Sequence, residues 1–189
     1  MWNRALLCIL YFTCTSVAWA APARYALDAQ GSEVRFTYTL GGVDGAGTMP
    51  VSTADIVLDF DNAAASRTAV TLNPNKAETS TGLITSTLKS QDVLNTAQYP
   101  EIVFISRSVT AKPGGAVVTG DVTVRGVTRP LTLEATIYRP EGSAPGDRSK
   151  LTVRLTGAIN RHDFGASGYP DLVEETVTLD IRARLRLSD

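Results

Sequence analysis

The amino-acid sequence predicts an all-β protein, an antiparallel barrel or sandwich of about eight strands with one short helical insert. Apolar and polar residues alternate along most of the chain, which is typical of strands that bury one face. Glycine, proline and asparagine separate the alternating segments at the spacing of hairpins. Residues 81–106 break the alternation and carry the helical insert. An eight-stranded barrel can be filled by its own side chains or can hold one small ligand, and periodicity leaves both open.

The first twenty residues predict a secretory signal peptide that is cleaved after Ala20. Arg4 supplies the basic start, residues 5–17 the apolar core, and Ala18 a second small residue at the cleavage site. The alternative is a membrane anchor, but the apolar run is shorter than the ~20 residues that a span requires. We therefore expect a mature domain of residues 21–189 with no integral membrane segment.

Composition excludes several kinds of chemistry. Both cysteines, Cys8 and Cys14, lie inside the predicted signal, so we expect no disulfide, thiolate nucleophile or cysteine-bound metal in the mature chain. The full chain carries 18 basic and 19 acidic residues and lacks the basic excess that nucleic-acid binding requires. We expect no nucleic-acid partner.

Before the insert, alternation predicts strands at residues 33–40 and 54–60 and a short one near residues 70–72. Gly41-Gly42 and Gly45-Ala46-Gly47 are predicted to be turn or bulge residues. The apolar faces of these strands comprise Val34, Phe36, Tyr38, Leu40, Ile56, Leu58, Phe60, Val70 and Leu72.

After the insert, the pattern predicts five more strands, separated by turns at residues 112–115 and 126–130 and by a polar loop at 140–149. Their apolar faces comprise Ile102, Phe104, Val118, Val122, Val124, Leu131, Leu133, Ala135, Ile137, Leu151, Val153, Leu155, Ile159, Val177, Leu179, Ile181, Ala183, Leu185 and Leu187. In an outer-membrane barrel these faces would contact lipid. The many charges on the opposite faces and the shortness of most strands disfavour that alternative.

The insert has the apolar spacing of a short helix, with Ser80 or Thr81 as N-cap, and it ends at Tyr99-Pro100. Its apolar face comprises Leu83, Ile84, Leu88, Val93 and Leu94. The helix could plug the barrel as core, or it could close a lipophilic tunnel.

Catalytic groups are few. His162 beside Asp163 makes a Ser-His-Asp site conceivable, but the chain contains no G-x-S-x-G motif. A single histidine without cysteine or closely spaced carboxylates predicts no metal site. We therefore predict neither an enzyme nor a cofactor.

Three ordered motifs resemble those of the YceI-like family. The first is a helical segment leading to a strand, the second a glycine-strand-glycine hairpin, and the third an arginine-x-aspartate-phenylalanine-glycine signature. The matching residues are Leu88, Lys89, Ser90, Asp92, Tyr99, Pro100, Phe104 and Ser106; then Gly120, Gly126, Thr128 and Pro130; then Arg161, Asp163, Phe164 and Gly165.

The resemblance implies a lipocalin-like barrel in the periplasm that holds a polyisoprenoid or other lipid chain. The lipid-contacting residues would then be Phe36, Tyr38, Leu58, Leu83, Ile84, Leu88, Phe104, Val122, Val124, Ile137 and Phe164, with Arg161 and His162 at a polar mouth. The alternative for Arg161 is a structural role, in which it clamps a turn by binding a neighbouring carbonyl. The family often carries an arginine-aspartate pair early in the helical segment, whereas residues 83–87 here are uncharged. That departure predicts a different or less polar lipid.

Our leading hypothesis is a periplasmic carrier of an isoprenoid or fatty-acyl lipid. The alternative is a structural or stress-response interaction protein whose barrel is filled and binds no ligand. Exposed apolar residues on an edge strand would also permit a homodimer.

Overall fold

A computed structural model describes residues 22–188, and the predicted signal peptide of residues 1–20 lies outside them. The strands and the helix have the following bounds: β1 Ala23–Leu27, β2 Glu33–Leu40, β3 Val43–Met49, β4 Val51–Leu58, β5 Arg67–Leu72, β6 Glu78–Thr79, α1 Gly82–Lys89, β7 Ile102–Lys112, β8 Gly115–Val124, β9 Val127–Tyr138, β10 Lys150–Asn160 and β11 Thr176–Leu187. Within these residues, no helix is both long enough and apolar enough to cross a membrane.

The strands form one closed antiparallel barrel with eight strand positions around it. Each position, called a stave below, holds one long strand or two short strands lying end to end. β1 and β2 lie end to end along β11, with Leu27 opposite Leu185 and Glu33 opposite Arg182. β3 and β4 form the next stave and are separated by Pro50. β5 pairs with β4 and β6 pairs with β3. From β5, strands β7 to β10 then pair in chain order back to β11, which closes the ring through its pairing with β1. The predicted eight-stranded barrel with one short helix is confirmed.

The meander gives the barrel two unlike ends. The loop end is formed by the connections at residues 59–66, 113–114 and 139–149. The helix end is formed by the segment 73–101, which includes α1, and by residues 161–175 together with two tight hairpin turns. We keep these two names below.

Residues 43–49 are a strand rather than the predicted turn or bulge. Glycines weaken a strand when nothing packs on them. Here Phe36 and Tyr38 of β2 lie directly across the ladder from Gly47 and Gly45, so their rings cover the bare backbone. Sequence alternation missed this strand because glycine has no side chain to mark a face.

Apolar faces line the interior and charged faces form the outside. The inward residues of β11, from Val177 to Leu185, all border the interior. Outward residues form ion pairs such as Arg154–Asp180, at 2.7 Å, and Arg24–Asp55, at 2.8 Å.

Helix α1 begins at an N-cap, where the Thr81 hydroxyl accepts a hydrogen bond from the Ile84 amide at 3.3 Å. None of its residues is buried, so it covers the helix end without filling it. Arg125 fixes the segment after it by donating to the carbonyls of Gln91, at 2.8 Å, and Val93, at 2.6 Å.

Candidate functional site: a cavity through the barrel

The barrel encloses a cavity of about 920 Å³. That volume lies near the upper limit for small-molecule pockets, about 1,000 Å³. Every second residue of the β9 stave from Leu131 to Arg139 lines the cavity. At the rise of a strand, this stretch of the wall is about 26 Å long. The cavity is therefore long, and it extends between the two ends.

The helix half of the barrel stays hollow because its aromatic rings lie flat on glycines. A Cβ atom at Gly47 would lie 2.3 Å from Cζ of Phe36, and one at Gly45 would lie 2.6 Å from Cζ of Tyr38. Phe104 covers Gly120 in the same way, at 2.7 Å. Each ring rests against the wall instead of crossing the interior.

Residues halfway along the barrel are only half-buried although they face inward. Val118 and Leu155 pack against apolar clusters at both ends, yet both keep intermediate exposure. Inward residues of a filled barrel would be covered from the opposite side. Their remaining exposed surface faces the cavity.

The predicted lipid-contacting residues all lie on this cavity. They are Phe36, Tyr38, Leu58, Leu83, Ile84, Leu88, Phe104, Val122, Val124, Ile137 and Phe164. Of the two residues predicted at a polar mouth, Arg161 borders the cavity and His162 does not.

Arg161 is buried, with 6% of its surface exposed, and its guanidinium binds backbone carbonyls. Nε donates to Glu174 at 3.0 Å, Nη2 to Val173 at 2.8 Å, and Nη1 to Ala166 and Gly168. Four of its five donors are thus occupied. Burial lowers the pKa of Arg161, and the charge of Glu175 opposes that shift. Arg161 holds residues 166–174 over the helix end.

His162 lies beside this loop. Its Nδ1 is 3.8 Å from Oε1 of Glu175, while its Nε2 is buried without a hydrogen-bond partner among the described residues. Within residues 22–188, no group of three or more His, Cys, Asp or Glu side chains could hold a metal ion.

Tyr38 supplies a polar atom at the wall of the cavity. Its hydroxyl is buried and has no partner within residues 22–188. Buried hydroxyls usually have a partner. A ligand with one oxygen at this depth could therefore bind to it.

Sequence analysis missed the charged groups at the loop end. Asp59, Arg139 and Arg148 all border the cavity there. Arg148 places its guanidinium carbon 4.5 Å above the ring centre of Phe60, and Tyr25 packs edge-on against the same ring at 6.5 Å. One signal was available, since Arg139 follows Ile137 by two residues and so continues the inward register of β9.

The helix end instead presents exposed apolar side chains. Leu83 is 78% exposed, Leu172 is 55% exposed and Tyr169 is 43% exposed, yet all three also border the cavity. The apolar lining therefore continues onto the surface at this end.

Comparison with known sequences places this geometry in a family. The family model of the YceI-like domain matches residues 25–185, nearly all the described chain. The chain belongs to the YceI-like family. Protein YceI of Escherichia coli O17:K52:H18 is 31% identical over 148 residues, covering 77% of each chain. Protein YceI of Salmonella newport is 28% identical over 163 residues, covering 82% of this chain and 85% of its own.

Solved structures share the barrel. Burkholderia cenocepacia BcnA superposes with a TM-score of 0.74 at 17% identity, covering 84% of this chain and 99% of its own. A YceI protein of Campylobacter jejuni gives a TM-score of 0.60 at 22% identity, covering 76% of this chain and 84% of its own. The YceI-like family and its barrel fold suggest a binding protein.

Proposed function

We propose that this YceI-like protein is a periplasmic carrier that holds a long-chain isoprenoid or other lipid inside its barrel, without catalysing a reaction on it. The observation that carries the proposal is the apolar cavity of about 920 Å³ that extends through the barrel. The alternative of a barrel filled by its own side chains does not agree with that cavity.

Burial of a lipid chain supplies the driving force. Each methylene removed from water contributes about 0.8 kcal/mol, so a long chain gains more than any single polar contact could provide. Water inside the cavity would find few partners, because the wall is mainly apolar and Tyr38 offers an isolated hydroxyl. Selectivity then depends on the length of the cavity and on polar groups at its ends.

The periplasm is the location that the predicted signal peptide supports. Export would deliver the chain to a compartment where lipids crossing between two membranes must pass through water. A barrel that shields an apolar chain from water suits that task.

Native mass spectrometry of the exported protein tests the proposal. We expect the purified protein to carry lipid, or to bind isoprenoid and fatty-acyl probes after delipidation. Leu155→Trp places a large ring halfway along the cavity and should abolish binding of long chains. Thr156→Trp is the matched control because the neighbouring residue points outward and is exposed.

Two results would contradict the proposal. The first is a folded protein that carries no lipid and binds neither class of probe. The second is equal binding by the Leu155 and Thr156 variants, which would place the ligand outside the cavity.

A further inference from the structure

The loop end of the cavity carries positive charge where a lipid head group would lie. Arg139 occupies an inward position of the β9 register just beyond the strand, and Arg148 lies over the inward-facing ring of Phe60. Both arginines border the cavity and both are exposed. An exposed guanidinium at the end of an apolar cavity can donate paired hydrogen bonds to an oxyanion.

The charge of Arg148 is only loosely compensated. Its Nη2 is 3.7 Å from Oδ1 of Asp61, a distance beyond a normal hydrogen bond, and Asp61 does not border the cavity. The backbone of Arg148 is fixed, since its carbonyl accepts a hydrogen bond from the Tyr25 hydroxyl at 2.9 Å. The guanidinium can therefore turn towards a ligand while its backbone stays in place.

Arg139 has no ion pair within 4.0 Å among residues 22–188. It does lie near Asp147, whose pKa is lowered chiefly by the hydrogen bond from the Ser149 backbone and to a lesser degree by the charges of Lys150 and Arg139. Asp147 does not border the cavity.

Other charged groups along the cavity are already engaged. Asp59 is the acidic residue among the described residues that line the cavity. Its Oδ1 accepts hydrogen bonds from the amides of Asp61, at 2.9 Å, and Asn62, at 2.7 Å. Lys112 pairs with Glu134, and Arg182 pairs with Glu33 at 3.4 Å. At the helix end, the guanidinium of Arg161 is bound to backbone carbonyls.

We propose that Arg139 and Arg148 form the head-group site of the cavity, and that the ligand is an amphiphile with an anionic head, a carboxylate or a phosphate. This inference rests on the proposed function. The chain of the ligand lies along the apolar wall with its terminal methyl towards α1, and the head displaces Arg148 from its weak contact with Asp61.

Matched ligands test the head-group site. The exported protein is titrated with hexadecanoate, hexadecyl phosphate and hexadecanol at low ionic strength, each displacing a neutral fluorescent naphthylamine. We expect the anions to bind about tenfold more tightly than the alcohol, which corresponds to about 1.4 kcal/mol. The affinities of the two anions show whether the site prefers a carboxylate head or a phosphate head.

The double variant Arg139→Gln/Arg148→Gln should lose about tenfold in affinity for the anions and keep its affinity for hexadecanol. The control Arg67→Gln/Arg154→Gln removes the same two charges from outward positions and should change neither affinity. Equal binding of acid and alcohol by the unmodified protein, or a parallel loss of both in the double variant, would overturn the head-group site. If none of the three ligands binds, the proposed function itself would be overturned.

Orientation gives an independent readout. Hexadecanoate with a photoreactive diazirine at its terminal carbon should label peptides of the helix end, residues 81–94 or 166–175. A diazirine next to the carboxylate should label residues 139–148. The reverse pattern would place the head under α1 and contradict the assignment.

Discussion

The two ends of the barrel use arginine in opposite ways. At the helix end, Arg161 is buried and its donors are bound to backbone carbonyls, so its charge holds a loop in place. At the loop end, Arg139 and Arg148 are exposed; among residues 22–188, Arg139 has no ion pair and Arg148 has only the 3.7 Å contact with Asp61. The same residue type therefore serves the fold at one end and is available to a ligand at the other. What separates the two roles is the number of donors that the protein itself has left unbound.

Truncation of the buried arginine should give the largest difference between the ends. Arg161→Ala would leave carbonyls of residues 166–174 without their partner, and we expect a loss of about 3 to 5 kcal/mol in the free energy of unfolding. Arg139→Ala should change it by less than about 0.5 kcal/mol, because the side chain is exposed. Urea denaturation of both variants measures the contrast.

Arg161→Lys sharpens this prediction. Lysine keeps the charge but cannot reach several carbonyls with a planar fork, so it should recover little of the lost stability. Full recovery by lysine would show that charge, rather than hydrogen-bond geometry, fixes the loop.

The two halves of the barrel are also hollow for different reasons. Glycines under aromatic rings leave space in the helix half, whereas small alanines, Ala116, Ala135 and Ala183, line the loop half. Gly47→Ala should cost about 2 kcal/mol, because the new methyl would displace the ring of Phe36 and would also lie 2.7 Å from the carbonyl oxygen of Glu78.

Gly82→Ala provides the control for Gly47→Ala. A Cβ atom at Gly82 would meet nothing within 4 Å, and the residue begins α1. This change should leave stability unchanged or raise it by about 0.5 kcal/mol. No ring covers Gly82, so a loss at Gly82 as large as that at Gly47 would mean that the ring of Phe36 does not set the cost at Gly47.

Alternation along the sequence predicted an antiparallel barrel or sandwich and the inward face of nearly every strand, because it records which side chains avoid water; the resemblance to the YceI-like family implied the barrel. It did not by itself choose the eleven proposed lipid-contacting residues, which follow from that resemblance and all line the cavity. It could not decide whether the barrel was hollow, since that depends on whether Phe36 and Tyr38 cross the interior or lie on glycines.

The charged groups show a second limit of sequence reasoning. Arg161 belongs to a family motif, and the sequence left open whether it lies at a polar mouth or clamps a turn; the chain turns so that its donors meet four carbonyls. Arg148 lies in a polar loop with no periodic pattern, so its position over Phe60 depends on how residues 139–149 close. Periodicity describes strands and carries little information about loops.

The smallest expected effect concerns the stack of Tyr25, Phe60 and Arg148 at the loop end. Burial raises the pKa of Tyr25 from its ordinary value of 10.0, and the charge of Arg148 partly offsets the shift. Tyr25→Phe removes the hydrogen bond to the Arg148 carbonyl and should cost about 1 kcal/mol near neutral pH. A raised pKa in the folded state means that the tyrosine contribution is complete below about pH 10 and is lost as the pH rises through the folded value.

The difference in unfolding free energy between the unmodified protein and Tyr25→Phe should therefore stay constant up to about pH 10 and shrink as the pH rises above that value. Tyr138→Phe is the control, because that ring is 50% exposed and its replacement should change the free energy of unfolding by less than about 0.5 kcal/mol. At the loop end a neutral hydroxyl holds the backbone of a cavity arginine, so a constant difference for Tyr25→Phe would mean that its hydroxyl ionises as freely in the folded protein as in the unfolded chain. Arg148 would then be positioned by Phe60 and by its weak contact with Asp61, and the loop end would be less fixed than the helix end.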